Sequence, residues 1–480
     1  MAAAVLPVLL AVLSVLAAAR SPEPSRLALT HVAVIDMTGA PLKRDRTVIV
    51  AGNRIADVGP AAQLRVPAGA RVVDASGKYL VPGLWDMHVH IREVERALAL
   101  YVANGVLGVR EIGGKEEVFG WRDQIARGRR IGPRIVACGL ILDGPDPASD
   151  REFTIPVANA AEARKAVADL AGKGAECIKV YDRLPRDAYF AIVAEAKKRR
   201  LPVVGHVPLS VTTMEASDAG QRSVEHLGTI LEGSSTIEPE LRRMQAAPMP
   251  AGGDFSEFPR RIAARGERML DTYDERRAQA LFKRLAKNGT WQVPTLVVKR
   301  GQTFTDDLSR TEDDRLKYVP ESEKEWWSPQ KNFFSRYRTP EYITYRKRLY
   351  TRELELVGAM HRAGVPIMTG TDVSGAWVFP GFSLHDELAL FVEAGLTPME
   401  ALQAATRNPA AFLGELGSQG TVERGKRANL VLLDANPLED IYNTRRIAAV
   451  VLDGTLLSRD ALQSMLAGAE EAARRVPAGR

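Results

Sequence analysis

Cysteine is nearly absent from this chain: Cys138 and Cys177 are the only two among 480 residues. Two thiols cannot build a disulfide framework, so the fold must rest on a hydrophobic core. Both lie in apolar, strand-like segments, and the expectation is a pair of buried free thiols. Histidine is also scarce, with 7 residues, and no GxSxG segment offers a serine nucleophile. Charge of one sign does not dominate. A formal net charge of +6 is small for the length, and no basic tract or RNA-binding signature accompanies it. A nucleic-acid partner is therefore not expected.

Charge is missing altogether from Met1 to Ala19, a run of Ala, Val and Leu closed by Arg20, Ser21 and Pro22. Such a run reads as a secretory signal peptide with small residues at a cleavage site, or as an uncleaved membrane anchor. The expectation is export, periplasmic or secreted, with residues 1–20 as the targeting segment. No cysteine follows that segment, which excludes a lipid-modified N-terminal cysteine.

What remains is ordinary globular composition, 45% hydrophobic and 26% charged. Short alternating segments open the chain (LALTHVAVID, RTVIVAGNRIADVG, ARVVDASGKYLVPG) and recur near its end (ANLVLLDANP, IAAVVLDGTL). Between them strand-like and helix-like stretches alternate, as in βα units. Barrel strands are expected at residues 80–90, 106–112, 134–141, 177–181, 202–207, 223–227, 291–298 and 365–372. The fold class expected is α/β: a (β/α)8 TIM barrel at 81–415, with a small β-sandwich formed by 27–80 and 416–460 from both chain ends. A C-terminal helix or tail takes 461–480. Insertions at about 229–288 and 300–350 interrupt the barrel, and the second, rich in Trp and Tyr, is a candidate lid.

Several apolar β-branched runs end in a residue suited to metal chemistry. His88 and His90 close VPGLWDMHVH, and their i, i+2 spacing on a strand turns both imidazoles to one face. His206 ends PVVGH and His226 ends SVEH, while Asp372 ends PIMTGTD. On the strand around ECIKVYD, the residues Cys177, Lys179 and Tyr181 share a face. A cationic lysine has no lone pair for a metal, and its burial needs a partner. Parity places Glu225 on the face opposite His226, hence away from the site. His31, His361 and His385 read as structural, and Thr406, Asn408 and Pro409 as fixing a turn.

This order of residues, with VPGLWDMHVH, the strand-end His206 and His226, and PIMTGTD, resembles the amidohydrolase superfamily from about Leu27 to Gly454. The nearest branch in likeness is that of imidazolonepropionase-like and prolidase-like metal-dependent hydrolases. The resemblance implies one or two divalent ions, zinc by default, held by His88, His90, Lys179, His206, His226 and Asp372. It further implies that carbon dioxide converts Lys179 to a bridging carbamate. Metal-bound hydroxide would attack an amide or peptide-type C–N bond of a small molecule, such as a dipeptide. Asp372 would shuttle the proton, His226 would assist by hydrogen-bonding the developing oxyanion, and Tyr181 would touch substrate. Alternatives on the same scaffold are cyclic-amide hydrolysis of the imidazolonepropionase kind, ester cleavage and deamination. A non-catalytic interaction module is the alternative of a different class. The partner expected is a small molecule, with homo-oligomer formation allowed and membrane contact only through the N-terminal anchor.

Overall fold

The structure is a computed structural model that describes residues 26–246, 257–328, 338–373 and 375–475. The expected signal segment lies outside the described residues, as do residues 476–480 of the expected C-terminal helix or tail, whose residues 461–475 belong to the helix Arg459–Arg475. Within them no helix is long and apolar enough to cross a membrane.

Two β systems organise the mixed α/β chain. The outer one is an eight-stranded sheet drawn from both ends of the sequence. Its order is Thr455–Ser458, Ile447–Leu452, Leu430–Leu433, Tyr79–Pro82, Arg26–Val34, Lys43–Ala51, Arg54–Pro60. The sheet forks at Arg26–Val34, which pairs in parallel with Arg71–Asp74 along its first half and with Tyr79–Pro82 along its second. The two halves of the sequence join where Leu430–Leu433 runs antiparallel to Tyr79–Pro82, Leu430 opposite Pro82. Alternation of apolar side chains supplies the core here: Leu27, Leu29, Val32 and Val34 pack with Val48, Val50, Leu430 and Leu432.

The inner system is parallel. Leu84–Val89 pairs with Val106–Glu111, and that strand with Arg134–Ala137. Ile178–Val180 pairs with Val203–Gly205, and Ser223–Glu225 with Trp291–Val293. Single backbone contacts link these groups: Glu176 N to Ala137 O (2.8 Å), Arg222 N to Val203 O (2.7 Å), and bridges joining Gln292 to Ile367 and Val89 to Val373. The parallel segments thus follow one another in chain order and return to the first. Near-continuous Val and Ile burial on both faces is what such strands require. Helices intervene, among them Val94–Ala103, Ala160–Gly172, Arg186–Lys198 and Pro340–Arg362.

Three expectations are corrected. The strand expected at 80–90 is divided at Gly83, with Tyr79–Pro82 in the outer sheet and Leu84–Val89 in the inner one. A Cβ on Gly83 would lie 2.8 Å from the Leu107 side chain, so the crossing point needs glycine. The strand expected at 291–298 stops at Val293, and Leu296–Thr303 is helical. Pro294 cannot donate to a ladder, and Thr295 at φ 54° turns the chain. Finally, Cys138 and Cys177 are not free thiols: they form a disulfide, their Cα atoms 4.5 Å apart. The backbone link between Ala137 and Glu176 sets the two cysteines side by side, an adjacency of segments far apart in sequence.

The aromatic residues of the second insertion divide. Trp327 is buried against Trp377 and Phe379 (ring centroids 5.7 and 5.5 Å), and Tyr345 is buried over Gly266, while Trp326 is exposed. Phe333, Phe334 and Tyr337 lie outside the described residues. The insertion carries the short helical turns Leu308–Glu312, Asp314–Tyr318 and Glu321–Trp327 and ends in the first half of the 23-residue helix Pro340–Arg362, which packs on the helices before it.

Candidate metal centre

The inner strands end on one side, and there the expected residues meet. His88 and His90 reach Asp372, with Nε2 of His88 3.2 Å and Nε2 of His90 3.3 Å from its Oδ1. Donor atoms of these three lie within 4.8 Å of one another, a spacing suited to a shared cation. His226 joins them, its Nε2 3.8 Å from Asp372 Oδ2 and its ring centroid 5.0 Å from that of His88. His206 stands 5.0 Å from His226, ring to ring. Tyr181 stacks on His206 at 4.1 Å. Lys179 is 1% exposed, and its side chain fits only because position 205 is glycine: a Cβ there would lie 2.6 Å from Lys179 Cδ.

Two backbone features aim these groups. His226 has φ 63° and Asp372 φ 55°, both left-handed. Such a conformation is uncommon outside glycine and is worth about 1–3 kcal/mol of strain, held by the surrounding structure. At His226 it breaks the strand alternation. That corrects the expectation for Glu225, which does not point away: its Oε2 lies 3.2 Å from His88 Nδ1, and its Oε1 accepts from Arg110 (2.8 Å) and Ser223 (2.6 Å). Residues 225 and 226 both turn inward because the chain twists between them.

Hydrogen bonds identify which imidazole nitrogens are available. Nδ1 of His206 faces Asp182 Oδ1 at 2.8 Å; a carboxylate accepts, so Nδ1 carries the proton and Nε2 the lone pair. Nδ1 of His226 faces Thr295 Oγ1 at 2.7 Å, and that hydroxyl donates to Pro294 O, also 2.7 Å away. The imidazole must then donate from Nδ1, which again leaves a lone pair at Nε2. In this tautomer His226 offers a lone pair at Nε2, as a metal ligand requires; the expected hydrogen bond to an oxyanion would need a proton on that nitrogen. Nδ1 of His88, buried beside Glu225, has no aligned hydrogen-bond partner, and neither has Glu225 Oε2. A small shift of either ring or carboxylate completes that contact, the pattern by which carboxylates orient metal-binding histidines.

Electrostatics agree. Burial pushes His90, His206 and His226 below the ordinary imidazole range, favouring the neutral form that metals bind. Burial opposes ionisation of Asp372, but His88, His90 and His226 around it hold it well below the usual carboxylate range. Burial lowers Lys179 to about 8, against the opposing fields of Glu225 and Asp372. The residues present therefore fit a divalent cation: neutral imidazoles with free Nε2 atoms, one ionised carboxylate and an amine easily deprotonated.

Asp182, Thr295, Glu225 and Arg110 were not singled out by sequence reasoning as members of the site. A carboxylate next to Tyr181 and a Thr after Pro294 carry no spacing signal of their own. The remaining histidines lie elsewhere. His31 pairs with Asp45 (2.8 Å) in the outer sheet, His361 with Glu400 (3.0 Å), and His385 is buried between Asn104 O and Thr444 Oγ1, 3.0 Å from each.

A family model for the amidohydrolase family matches residues 79–457, most of the chain. The chain belongs to the amidohydrolase family. Among curated members, the ochratoxinase of Aspergillus niger is 40% identical over 82 residues, covering 17% of this chain and 16% of that protein. The imidazolonepropionase of Shouchella clausii is 34% identical over 107 residues, covering 21% and 23%. The matched stretches thus span less than a quarter of those relatives. Solved structures of the family align far more completely. A bottromycin amidohydrolase covers 94% of this chain and 91% of its own at 24% identity and a TM-score of 0.75. A prolidase-titled structure from Bifidobacterium longum covers 93% and 100% at 25% identity and a TM-score of 0.65.

Proposed function

We propose that the parallel inner segments close as a (β/α)8 barrel and that the protein is a metal-dependent hydrolase of a C–N bond, of amide or peptide type, in a small molecule. The observation carrying this reading is the convergence of His88, His90 and Asp372, with donor atoms within 4.8 Å. His206, His226 and Lys179 complete the ligand set. Zinc is the cation best suited to three or four imidazoles with carboxylate. When bound, the cation supplies Lewis acidity and an acidified water.

The chain's own residues supply the rest. Lys179 Nζ, as the free amine, could add to carbon dioxide with loss of a proton, and the resulting carbamate would offer carboxylate-like oxygens to help hold the cation. Asp372, low in pKa and facing three imidazoles, accepts the proton of the attacking water and returns it to the leaving nitrogen. Tyr181, flat against His206, borders the substrate space. Asp182 and Thr295 hold His206 and His226 in the tautomer that presents Nε2.

The test is elemental analysis of purified protein together with turnover of a dipeptide and N-acyl amino acid library. Stoichiometric divalent metal, and hydrolysis lost on chelation and restored by zinc, are expected. A folded protein without affinity for zinc would instead favour the interaction-module reading.

A further inference from the structure

Away from the metal ligands, a cavity of about 640 Å³ opens between the helix Leu296–Thr303, the stretch that follows Asp372 and the helix Phe382–Glu393. Its volume falls in the range of small-molecule sites, about 300–1,000 Å³. No residue of the candidate metal centre lines it, so it is a separate space. Its walls nevertheless start from residues that serve that centre. Leu296–Thr303 begins at Thr295, which holds His226. A Cβ on Gly301 of the same helix would meet Ala376 O at 2.8 Å, so the helix lies close against the residues after Asp372.

Four arginines and three aspartates line the cavity, an excess of one positive charge. Their pairing is uneven. Arg315 is engaged on both sides, with Asp313 (2.7 Å) and Asp386 (2.6 Å), and lies 4.5 Å over the Phe379 ring. Arg445 donates from Nη2 to Asp386 (2.5 Å). Arg310 donates from Nη1 and Nη2 to the carbonyls of Gly301 and Arg300 (3.1 and 3.3 Å). Its Nε stands 3.7 Å from Asp307, beyond hydrogen-bond range. Arg300 is exposed, and its guanidinium has no partner among the described residues. Each guanidinium carries five N–H groups, so Arg300, Arg310 and Arg445 hold donors to spare.

Much of the remaining lining is aromatic. Phe379 is buried, Trp377 and Phe382 are half-buried, and Tyr442 is exposed with Arg445 over its ring at 4.7 Å. Guanidinium groups receive phosphate and carboxylate in a planar fork, and aromatic faces beside them suit a flat ligand.

We propose that this cavity is a second binding site, for a small anion that carries a flat ring. Arg300, Arg310 and Arg445 hold the anionic group, and Trp377 and Phe382 border the ring. The anionic group is a phosphate ester or a carboxylate, which share the same hydrogen-bonding chemistry with arginine. The site needs neither metal nor turnover, so it goes beyond the hydrolase reading and does not rest on it.

Calorimetric titration of the zinc-loaded full chain tests this with phenyl phosphate, benzoate, inorganic phosphate and phenol. One equivalent of phenyl phosphate or benzoate is expected to bind, and the tighter of the two names the anionic group. Inorganic phosphate and phenol each lack one half of the ligand and should bind about tenfold or more weakly. Arg300→Glu should raise the dissociation constant of the ring-bearing anion about tenfold to a hundredfold, as when a hydrogen bond to a charged group is lost. This variant removes no contact among the described residues, so its melting temperature should match wild type. Arg445→Gln, which adds no charge, should weaken binding in the same direction. Anions also coordinate metals, and chelation separates the two cases. Binding that survives removal of zinc and fails in Arg300→Glu supports the cavity. The proposal is overturned if neither ring-bearing anion saturates, if inorganic phosphate binds as tightly, if Arg300→Glu leaves binding unchanged, or if binding disappears with the zinc.

Discussion

Thr295 Oγ1 sits 2.7 Å from Nδ1 of His226 while donating its own proton to Pro294 O, and this fixes the imidazole as a donor at Nδ1. The carbonyl, hydroxyl and ring form a relay of fixed direction that ends in a lone pair facing Asp372. Glu387 supports it from outside: its carboxylate accepts from the N–H groups of Leu296 (3.0 Å) and Val297 (2.7 Å), capping the helix that Thr295 starts.

Replacing Thr295 by Val keeps β-branching and volume at a strained φ but removes the hydroxyl. Metal affinity is expected to fall about 10–100-fold, the usual effect of losing a partner behind a ligating histidine. Competitive zinc titration measures it, and an unchanged dissociation constant would remove Thr295 from the site. Thermal melting of the metal-free variant should stay close to wild type.

Lys179→Ala should lower bound metal and turnover together, since it removes the group expected to carry the carbamate. Metal content by mass spectrometry and kcat are the two readouts. Full activity in that variant is incompatible with a bridging role. Wild-type protein prepared without carbon dioxide should lose metal and regain it with added bicarbonate.

Acid should loosen the contact between the outer sheet and the inner helices. Burial depresses His385 to about 4, from an ordinary value of 6.5. It contributes stability that is present above about 6.5 and disappears as pH falls through 4, because the unfolded chain takes up the proton first. The loss amounts to at most about 3 kcal/mol, from about 1.4 kcal/mol per pKa unit. Urea midpoints at pH 7 and pH 4.5 should therefore differ less for His385→Gln than for wild type. An identical pH dependence would show that His385 does not titrate across this range on unfolding.

Reduction of Cys138–Cys177 should cost about 2–4 kcal/mol, the range for a bridge closing a loop of this kind. Denaturation with and without reductant tests this, with Cys138→Ser/Cys177→Ser as the control. A double variant as stable as the oxidised protein would show that the bridge adds nothing to the surrounding apolar cluster of Trp85, Val136, Val204 and Phe412.

The legibility of the site was uneven for physical reasons. His88, His90, His206, His226 and Asp372 stood out because each is a polar group ending an apolar, β-branched run, where burial without a purpose is costly. Their convergence around Asp372 is visible in the structure. What could not be read were backbone events: the left-handed turns at His226, Thr295 and Asp372 have no glycine to announce them. Strand alternation therefore gave Glu225 the wrong side. Strand-like Val297 and Val298 concealed a helix after Pro294. The cysteine pairing depended on which strands become neighbours, a tertiary fact. In the outer sheet the alternating segments were plain, but the fork at Arg26–Val34 was not, since one strand's pattern does not name its partners.

The antiparallel pairing of Leu430–Leu433 with Tyr79–Pro82 has a consequence for biosynthesis. On a ribosome, the early strands emerge with one border bare, and their natural neighbour is translated only after all of the inner parallel strands. During that interval the border is a template for stray β association. Shielding by a chaperone, or slow release of the nascent chain, should therefore raise the yield of native protein.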